Sequence, residues 1–285
     1  MGGIGDRAGK FCGTAGTIND RERQAVELTQ HTREYWKYEY DVCALFMIPL
    51  LRSWGVTLEG RSVLDVGCGE GGGLCALFDQ GAVCVGFDID EYRIQVAREL
   101  QGTRTIGLTT GNLYAHEIPY AGRDFDLLVL HDVFEHLERK PEMLQKLKGY
   151  MKPDGRMLIT FPPYFSAYGA HQQHLHSSIA RLPFFHLIPF AVSTLLPRLR
   201  HEPPAAVAET QKLAGMKMGM AKFEDGAQDA GLTIVGKQTY LISPNHIRFG
   251  LKPVHAGLVS RLPIVRELLC SGVVYVLAKG AAGVR

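Results

Sequence analysis

The stretch VLDVGCGEGG, from Val63 to Gly72, constrains the fold of this chain more than any other. Its first five residues, VLDVG, are the end of the apolar run RSVLDVG. The residues that follow the stretch, GLCALFDQG, are typical of a helix, and a second apolar run, AVCVGFDID, comes after them. A strand, a glycine-rich turn, a helix and a second strand make a βαβ unit. Alternate glycines let the backbone turn sharply and approach a ligand, although such a turn can also be only a tight connection.

The same alternation of strand and helix continues as far as Pro162 and Pro163. Five strands separated by helices predict a parallel sheet with helices on both faces. Regular patterning resumes with the helix AKFEDGAQDAG and the strands LTIVGKQTYLI and GVVYVLAKG. We therefore predict an α/β fold: a Rossmann-like, doubly wound sheet of seven strands, with an N-terminal helical cap and an insertion, or lid, after the fifth strand.

These patterns divide the chain into five predicted segments. They are a disordered N-terminal tail at 1–18, a helical cap at 19–57, a Rossmann-like core at 58–163, a substrate-binding lid at 164–220, and the C-terminal part of the core sheet at 221–285. The start of the chain is glycine-rich and has no basic stretch followed by an apolar one, so we expect no secretory signal. The six cysteines form no CxxC pair and are predicted to be reduced, which favours a cytoplasmic protein.

Charge and hydropathy limit the class of partner. Lys and Arg number 31 against 29 Asp and Glu, so the net charge of +2 gives no reason to expect nucleic acid, and a small molecule is the expected partner. The most apolar stretch, 179–200, is interrupted by Arg181, Pro183, His186, Pro189 and Pro197. It is therefore not expected to span a membrane.

Three features around the glycine-rich turn carry a resemblance to a known family. Asp65 lies two residues before the first glycine of DVGCGEG, FDID ends the next strand, and LHDVFEH follows the fourth strand. This combination resembles the class I S-adenosylmethionine-dependent methyltransferases over about Val63 to Phe161. The dinucleotide fingerprint G-x-G-x-x-G has a different spacing of its glycines.

The resemblance implies S-adenosylmethionine as the cofactor. In that family the glycines approach the methionine and ribose, Asp65 would orient the ammonium group, and Asp88 would bind both ribose hydroxyls. Asn112 stands where the family often has Asp near the adenine amino group. His131 would face the methionine end or the acceptor, unless it only packs the strand end. The implied cofactor-binding residues are Asp65, Gly67, Cys68, Gly69, Gly71, Asp88, Ile89, Asn112, Leu113 and His131.

Aromatic residues in the cap and lid suggest a hydrophobic acceptor. The candidate substrate-binding residues are Tyr35, Trp36 and Tyr40 in YWKYEYD, and Tyr164 and Tyr168 in the lid, although aromatic clusters often serve only as core. Between Tyr164 and Lys222 there are six Lys or Arg and two Glu, a balance of +4. This excess favours an acidic acceptor or peripheral contact with an anionic membrane, or else a solvated face.

The motif GAHQQHLH, residues 169–176, has three interpretations: a catalytic base, a metal site or a loop with a structural role only. Three histidines could bind a metal together with His131, Glu135 and His136, but the spacing matches no zinc signature, so no metal is predicted. A base is favoured because the motif follows the fifth strand and imidazole titrates near neutral pH. The candidate catalytic residues are His171 first, then His174, His131 and Glu135, the last of which could instead cap a helix.

Together these observations predict a small-molecule methyltransferase that uses S-adenosylmethionine and acts on a hydrophobic, acidic acceptor at oxygen. C-methylation of an isoprenoid or aromatic ring is the alternative within the class. A metal-dependent methyltransferase is a further alternative. From another class, the chain could be a non-catalytic, membrane-peripheral module that binds the cofactor and docks on lipid through LPFFHLIPF.

Overall fold

The computed structural model of the chain describes residues 28–199 and 202–280. The predicted disordered tail and the first part of the predicted cap, 19–27, lie outside the described residues. Within them the chain folds around one mixed sheet with helices on both faces, which confirms the predicted doubly wound α/β class.

The sheet contains eight strands within the described ranges. They are β1 (Ser62–Val66), β2 (Val83–Asp88), β3 (Gly107–Thr110), β4 (Phe125–His131), β5 (Met151–Phe161), β6 (Leu232–Ile242), β7 (Val254–His255) and β8 (Gly272–Lys279). Their order is β3-β2-β1-β4-β5-β8-β6-β7. The first five strands are parallel, β8 is antiparallel to both β5 and β6, and β7 is antiparallel to β6.

The prediction of seven strands therefore needs one correction. The eighth strand, β7, has only two residues, and its bridge partners are Tyr240 and Ile242 of β6. Two residues are too few to produce an alternating pattern that sequence analysis can detect. This strand forms one edge of the sheet and does not change the arrangement of the other seven strands.

The helices cover both faces of this sheet. The α-helices are α1 (Gln30–Val42), α2 (Ile48–Ser53), α3 (Gly72–Phe78), α4 (Glu91–Leu100), α5 (Lys140–Gly149), α6 (Pro204–Met216), α7 (Met220–Asp229) and α8 (Pro263–Leu269). A π-helical turn, Cys43–Met47, joins α1 to α2. Thr29 begins α1 as its N-cap, because its side-chain oxygen accepts a hydrogen bond from the backbone N–H of Thr32.

The alternation of apolar residues along the central strands explains the two-sided core. Leu64 of β1 and Leu128 of β4 pack into one buried cluster with α5 and α7, whereas Val63 and Leu127 pack into the opposite cluster with α1 to α3. Both faces of β1 and β4 are thus buried. A strand buried on both faces reads as a continuous apolar run, which is how these strands appear in the sequence.

The lid emerges between β5 and α7 and has small apolar clusters of its own. Leu175, Phe185 and Leu196 form one of them, and Tyr164 packs with Leu213 of α6 in another. The two ends of the lid meet at its base, where the backbone N–H of Tyr164 donates to the carbonyl of Met218 over 2.8 Å. In the part of the chain that the structure describes, no helix has the length and apolar character needed to cross a membrane.

Candidate active site

The carboxyl ends of the parallel strands line a cavity of about 380 Å³, which we call the strand-edge cavity. Parallel strands all end at the same edge, and the crevice there is where open α/β sheets bind ligands. Its polar lining residues are Tyr35, Tyr38, Glu39, Asp88, Arg93, Asn112, Tyr114, His131, Asp132, His136 and Lys212. Gly67, Gly111 and apolar side chains, including Ile89 and Leu113, complete the wall.

The turn after β1 needs glycine for conformation and for space. Gly67 has φ +76°, in the left-handed region that side chains disfavour, and a Cβ there would lie 2.6 Å from Val133 Cγ2. Gly71, with φ +80°, is the N-cap of α3. The backbone can therefore border the cavity directly, as expected for a loop that holds a ligand.

Asp88 ends β2 at the floor of the strand-edge cavity and holds the glycine turn. Its Oδ2 accepts a hydrogen bond from the backbone N–H of Gly69 over 3.0 Å, and its Oδ1 accepts one from the N–H of Asp90 over 2.9 Å. Each carboxylate oxygen has two lone pairs, so both can still accept hydrogen bonds from a ligand.

Asp65 lies behind this floor and is buried. Among the described residues its Oδ1 has no hydrogen-bond partner. Burial, and then the neighbouring charge of Asp88, raise the pKa of Asp65 to about 7. A buried carboxylate without a partner is costly, and a cationic ligand group is the natural partner for it.

Helix α1 clamps the glycine turn from above. Glu39 Oε2 accepts a hydrogen bond from the backbone N–H of Gly72 over 3.2 Å, and Glu39 Oε1 lies 3.3 Å from Arg93 Nη2. Arg93 Nη1 in turn lies 3.9 Å from Asp88 Oδ2. The cap therefore connects electrostatically to the turn and to the strand end that the ligand would meet.

A second cavity, of about 300 Å³, lies between the strand edge and the lid, and we call it the lid cavity. Tyr35, Tyr38, Arg93, Asp132 and His136 line both cavities, so the two spaces adjoin. The lid contributes Tyr168, His171, Gln173 and His174, and the turn after β6 contributes Asn245, His246 and Arg248.

A buried cluster of titratable side chains lies beside the lid cavity. Glu135 is 2 % exposed, and its Oε1 lies 3.6 Å from His136 Nε2 and 3.9 Å from His171 Nε2. On its far side, His136 Nδ1 is hydrogen-bonded to Glu209 Oε1 of α6. The lid thus reaches back to the turn that follows β4.

Burial and neighbouring charge set the pKa values within this cluster. Burial raises the pKa of Glu135 to about 8, and burial together with the charge of His136 lowers the pKa of His171 to about 4. Burial also disfavours the charged form of His136, but the carboxylates of Glu135 and Glu209 outweigh it and raise the pKa of that ring. Burial lowers the pKa of His174. His171 and His174 are therefore neutral at neutral pH.

The structure distributes the predicted site residues over several places. Gly67, Asp88, Ile89, Asn112, Leu113, His131 and Tyr35 line the strand-edge cavity, and Tyr168, His171, His174 and again Tyr35 line the lid cavity. Cys68 is buried behind the turn, near Gly86. Asn112 already uses its amide oxygen to accept a hydrogen bond from the N–H of Tyr114 over 2.9 Å.

Three predicted substrate-binding residues, Trp36, Tyr40 and Tyr164, line neither of these two cavities. Trp36 and Tyr40 stack on each other with ring centroids 5.6 Å apart, and Tyr40 Oη donates to Asp79 over 2.9 Å, at the outer side of α3. They are four residues apart and share one helix face, whereas Tyr35 and Tyr38 share the face toward the cavities. Tyr164 is buried at the base of the lid, where its hydroxyl donates to the carbonyl of His186.

Asp132 is a site residue that sequence reasoning missed. It follows β4 with φ +55°, which is uncommon for a residue with a side chain. Thr160 Oγ1 donates to its Oδ1 over 2.8 Å, and Asn245 Nδ2 donates to its Oδ2. The only hint in the sequence is a second polar residue at the strand end, in LHDVF. Backbone strain of this kind is frequent at functional sites.

A comparison with protein families agrees with this architecture. The methyltransferase domain family matches residues 64–159, the segment from β1 to β5 that carries the glycine turn and the strand ends. These residues form a class I, S-adenosylmethionine-dependent methyltransferase domain. The resemblance drawn from the sequence is thereby confirmed.

Curated relatives match the methyltransferase domain at moderate identity. A ubiquinone biosynthesis O-methyltransferase of Coxiella burnetii is 29% identical over 138 residues, which are 47% of this chain and 55% of that protein. A phosphoethanolamine N-methyltransferase of Plasmodium falciparum is 34% identical over 106 residues, 36% of this chain and 39% of its own. The chain thus spans about half the length, or less, of these relatives.

Solved structures share the fold over most of the chain. A chain in the complex of the Haloferax volcanii Trm112 methyltransferase activator with its methyltransferase superposes with a TM-score of 0.55 and 14% identity, covering 89% of this chain and 95% of that one. The magnesium protoporphyrin IX methyltransferase of Synechocystis PCC 6803, solved with S-adenosylhomocysteine, gives 0.50 and 15%, with 88% of each chain covered. At these identities the likeness establishes the fold of the methyltransferase domain.

Proposed function

We propose that this protein is an S-adenosylmethionine-dependent methyltransferase that methylates an oxygen of a small acceptor with an apolar body and an acidic group. The observation that carries the proposal is the adjacency of the two cavities. The strand-edge cavity has the glycine turn and carboxylates that suit the cofactor, and it adjoins the lid cavity through five shared residues.

The residues present fit S-adenosylmethionine. The unpartnered buried oxygen of Asp65 suits the ammonium group, the free lone pairs of Asp88 suit the ribose hydroxyls, and Gly67 leaves room where a Cβ would collide. Leu113 lines the wall where a flat adenine ring would lie. When bound, this cofactor supplies an electrophilic methyl group, whose transfer leaves a neutral thioether.

The protein must then position the acceptor, exclude water and remove a proton. We assign positioning to Tyr35, Tyr38 and Tyr168, whose rings border the lid cavity, and charge recognition to Arg248. Burial lowers the pKa values of His171 and His174, so both rings are neutral at neutral pH. We assign the proton of the acceptor hydroxyl to His174, because a ring with a pKa of about 4, as in His171, is a weak base. The acceptor oxygen then forms its bond to the methyl carbon as the carbon–sulfur bond breaks.

O-methylation is favoured over C-methylation of an isoprenoid by the face on which the aromatics lie. A cationic intermediate on carbon needs several rings around it. Trp36 and Tyr40, half of the aromatic cluster in the cap, pack instead against the outer side of α3. The remaining lid cavity is rich in histidine and other polar groups, which suit a proton transfer from oxygen.

Titration calorimetry with S-adenosylhomocysteine tests the cofactor site. We expect micromolar binding by the wild type and a loss of at least about 30-fold in Asp88→Ala, because two ribose hydrogen bonds to a carboxylate disappear, each worth about 1–2 kcal/mol. Asp124→Ala, at an exposed carboxylate, serves as the matched control. Wild-type binding that survives Asp88→Ala would contradict the assignment of this strand end.

The acceptor is found by methyl transfer from labelled cofactor to phenols, apolar carboxylic acids and prenyl compounds, with the methylated atom identified by mass spectrometry and NMR. An O-methyl product supports the proposal. A C-methyl product replaces it with the alternative within the class. Cofactor binding without transfer to any of these classes would favour a non-catalytic module.

A further inference from the structure

The cluster of Glu135, His136 and His171 has a feature that proton transfer does not explain. Glu135 is 2 % exposed, and within residues 28–199 and 202–280 neither of its carboxylate oxygens has a hydrogen-bond partner. The Nε2 atoms of His136 and His171 lie 3.6 and 3.9 Å from its Oε1, beyond hydrogen-bond distance. Burying a polar group without a partner is costly, and more so for a carboxylate.

The spacing of these atoms suits an ion placed between them. One ligand atom from each of the three residues lies within 4.8 Å of the other two. In a tetrahedral site with metal–nitrogen bonds of about 2.0–2.1 Å, ligand atoms are about 3.4 Å apart. The two edges from Glu135 Oε1, 3.6 and 3.9 Å, are within a few tenths of an ångström of that distance, and the third edge, between the two histidines, is at most 4.8 Å.

Glu209 prepares His136 for such a role. The hydrogen bond between His136 Nδ1 and Glu209 Oε1 requires the proton on Nδ1, because the carboxylate can only accept. An ion that displaces the remaining proton would then bind through the lone pair of Nε2, which lies 3.6 Å from Glu135 Oε1. A carboxylate that orients a histidine through its second nitrogen is the usual arrangement behind metal-binding histidines.

We propose that Glu135, His136 and His171 bind a divalent transition-metal ion such as Zn²⁺ or Mn²⁺. Two imidazole nitrogens and one carboxylate favour these ions over Mg²⁺ and Ca²⁺, which prefer oxygen ligands. His136 and His171 also line the lid cavity, so an ion held by them would border the space assigned to the acceptor. The proposal replaces the sequence-based prediction that the chain binds no metal.

The ion gives the cluster a defined part in methyl transfer. It would hold the acceptor oxygen and favour its deprotonated form, as a Lewis acid does. His171 then acts as a ligand, which leaves His174 to accept the proton. This role rests on the proposed function, whereas the binding of the ion does not.

The test uses the full chain after removal of metal by a chelator. Titration calorimetry with Zn²⁺ at neutral pH should show one ion per chain with micromolar or tighter affinity, and Mn²⁺ should give a bound signal in electron paramagnetic resonance. Glu135→Gln and His171→Asn should each weaken Zn²⁺ binding at least tenfold. His174→Asn is the matched control, because its ring centroid lies 6.2 Å from that of His171 and it is not a member of the cluster.

Two outcomes would overturn the metal site. They are wild-type affinity in the millimolar range, or Zn²⁺ binding by the folded Glu135→Gln and His171→Asn variants that equals the wild type. Circular dichroism and thermal unfolding report whether each variant is folded, independently of S-adenosylhomocysteine. The side chain of His171 is 20% exposed and that of Glu135 is 2% exposed, so His171→Asn is the variant that disturbs the fold less. If Zn²⁺ binds but S-adenosylhomocysteine does not, the proposed function fails and the metal site stands.

Discussion

At the residue scale, Asp65 lowers the stability of the ligand-free protein, and we assign to the same carboxyl group the binding of the cofactor's ammonium group. Its carboxyl is buried without a partner for Oδ1 among the described residues, and burial, followed by the charge of Asp88, raises its pKa to about 7 from an ordinary 3.8. Between these two values the unfolded chain has released the proton and the folded chain has kept it. The free energy of unfolding therefore falls as the pH rises from about 4 to 7.

Asp65→Asn should remove this part of the pH dependence. We expect the ligand-free variant to be more stable than the wild type at pH 7, by on the order of a few kcal/mol, and the difference to shrink near pH 4. Thermal unfolding across this pH range measures it, with Asp124→Asn as an exposed control. Glu135, whose pKa is also raised, acts in the same direction in both proteins, so the difference between them isolates Asp65.

The same Asp65→Asn variant should bind S-adenosylhomocysteine more weakly than the wild type, because the ammonium group loses its carboxylate. A variant that is both less stable at pH 7 and equally tight in binding would contradict the assignment.

How far these residues could be predicted depends on distance along the chain. Asp65, Gly67 and Asp88 lie within one βαβ unit, so their spacing alone places them together.

At the scale of elements, α1 is the part of the cap that bears on the cofactor site. Glu39→Ala should weaken S-adenosylhomocysteine binding about tenfold, because the N–H of Gly72 and the guanidinium of Arg93 lose their shared acceptor and the turn loosens. Glu34, exposed on the same helix, provides the control Glu34→Ala. Calorimetry compares the two variants, and equal affinities would mean that α1 covers the turn without holding it.

The sequence predicts where helices and strands occur better than it predicts which of their side chains face the core sheet. The cluster YWKYEYD predicts a helix rich in aromatic residues. The number of aromatic residues in it does not show which of them face the sheet. Trp36 and Tyr40 stack on each other, away from the cavities. The phase of a helix is fixed by what packs against it. Similarly, the residues KPDG, 152–155, are typical of a turn, whereas β5 runs through them from Met151 to Phe161.

At the scale of the whole molecule, the lid behaves as an insertion with its own core. Its ends are joined by the hydrogen bond from Tyr164 to Met218. Replacing residues 166–216 by a short Gly-Ser linker should therefore leave a cooperative thermal transition and S-adenosylhomocysteine binding within a few-fold, while methyl transfer is lost. A variant that no longer unfolds cooperatively would show that the sheet depends on the lid for its stability.

Long-range contacts mark where sequence reasoning stopped. His136 and Glu209 are 73 positions apart, and their contact depends on how the lid folds back over the strand edge. The motif GAHQQHLH predicts a base among its histidines, but which of them contacts Glu135 depends on the irregular turns of the lid, which no periodic pattern encodes. The core sheet could be predicted, because its strands have a periodic pattern of residues and follow one another closely along the chain.

The position of β8 carries a consequence for synthesis of the chain. This strand, made after all the others, lies inside the sheet between β5 and β6, and Tyr275 on it is fully buried. While residues 272–279 are still inside the ribosome, β5 and β6 have no strand between them and expose open edges. Completion of the sheet must therefore wait until this segment has emerged, and a nascent chain that lacks it exposes two open strand edges to aggregation.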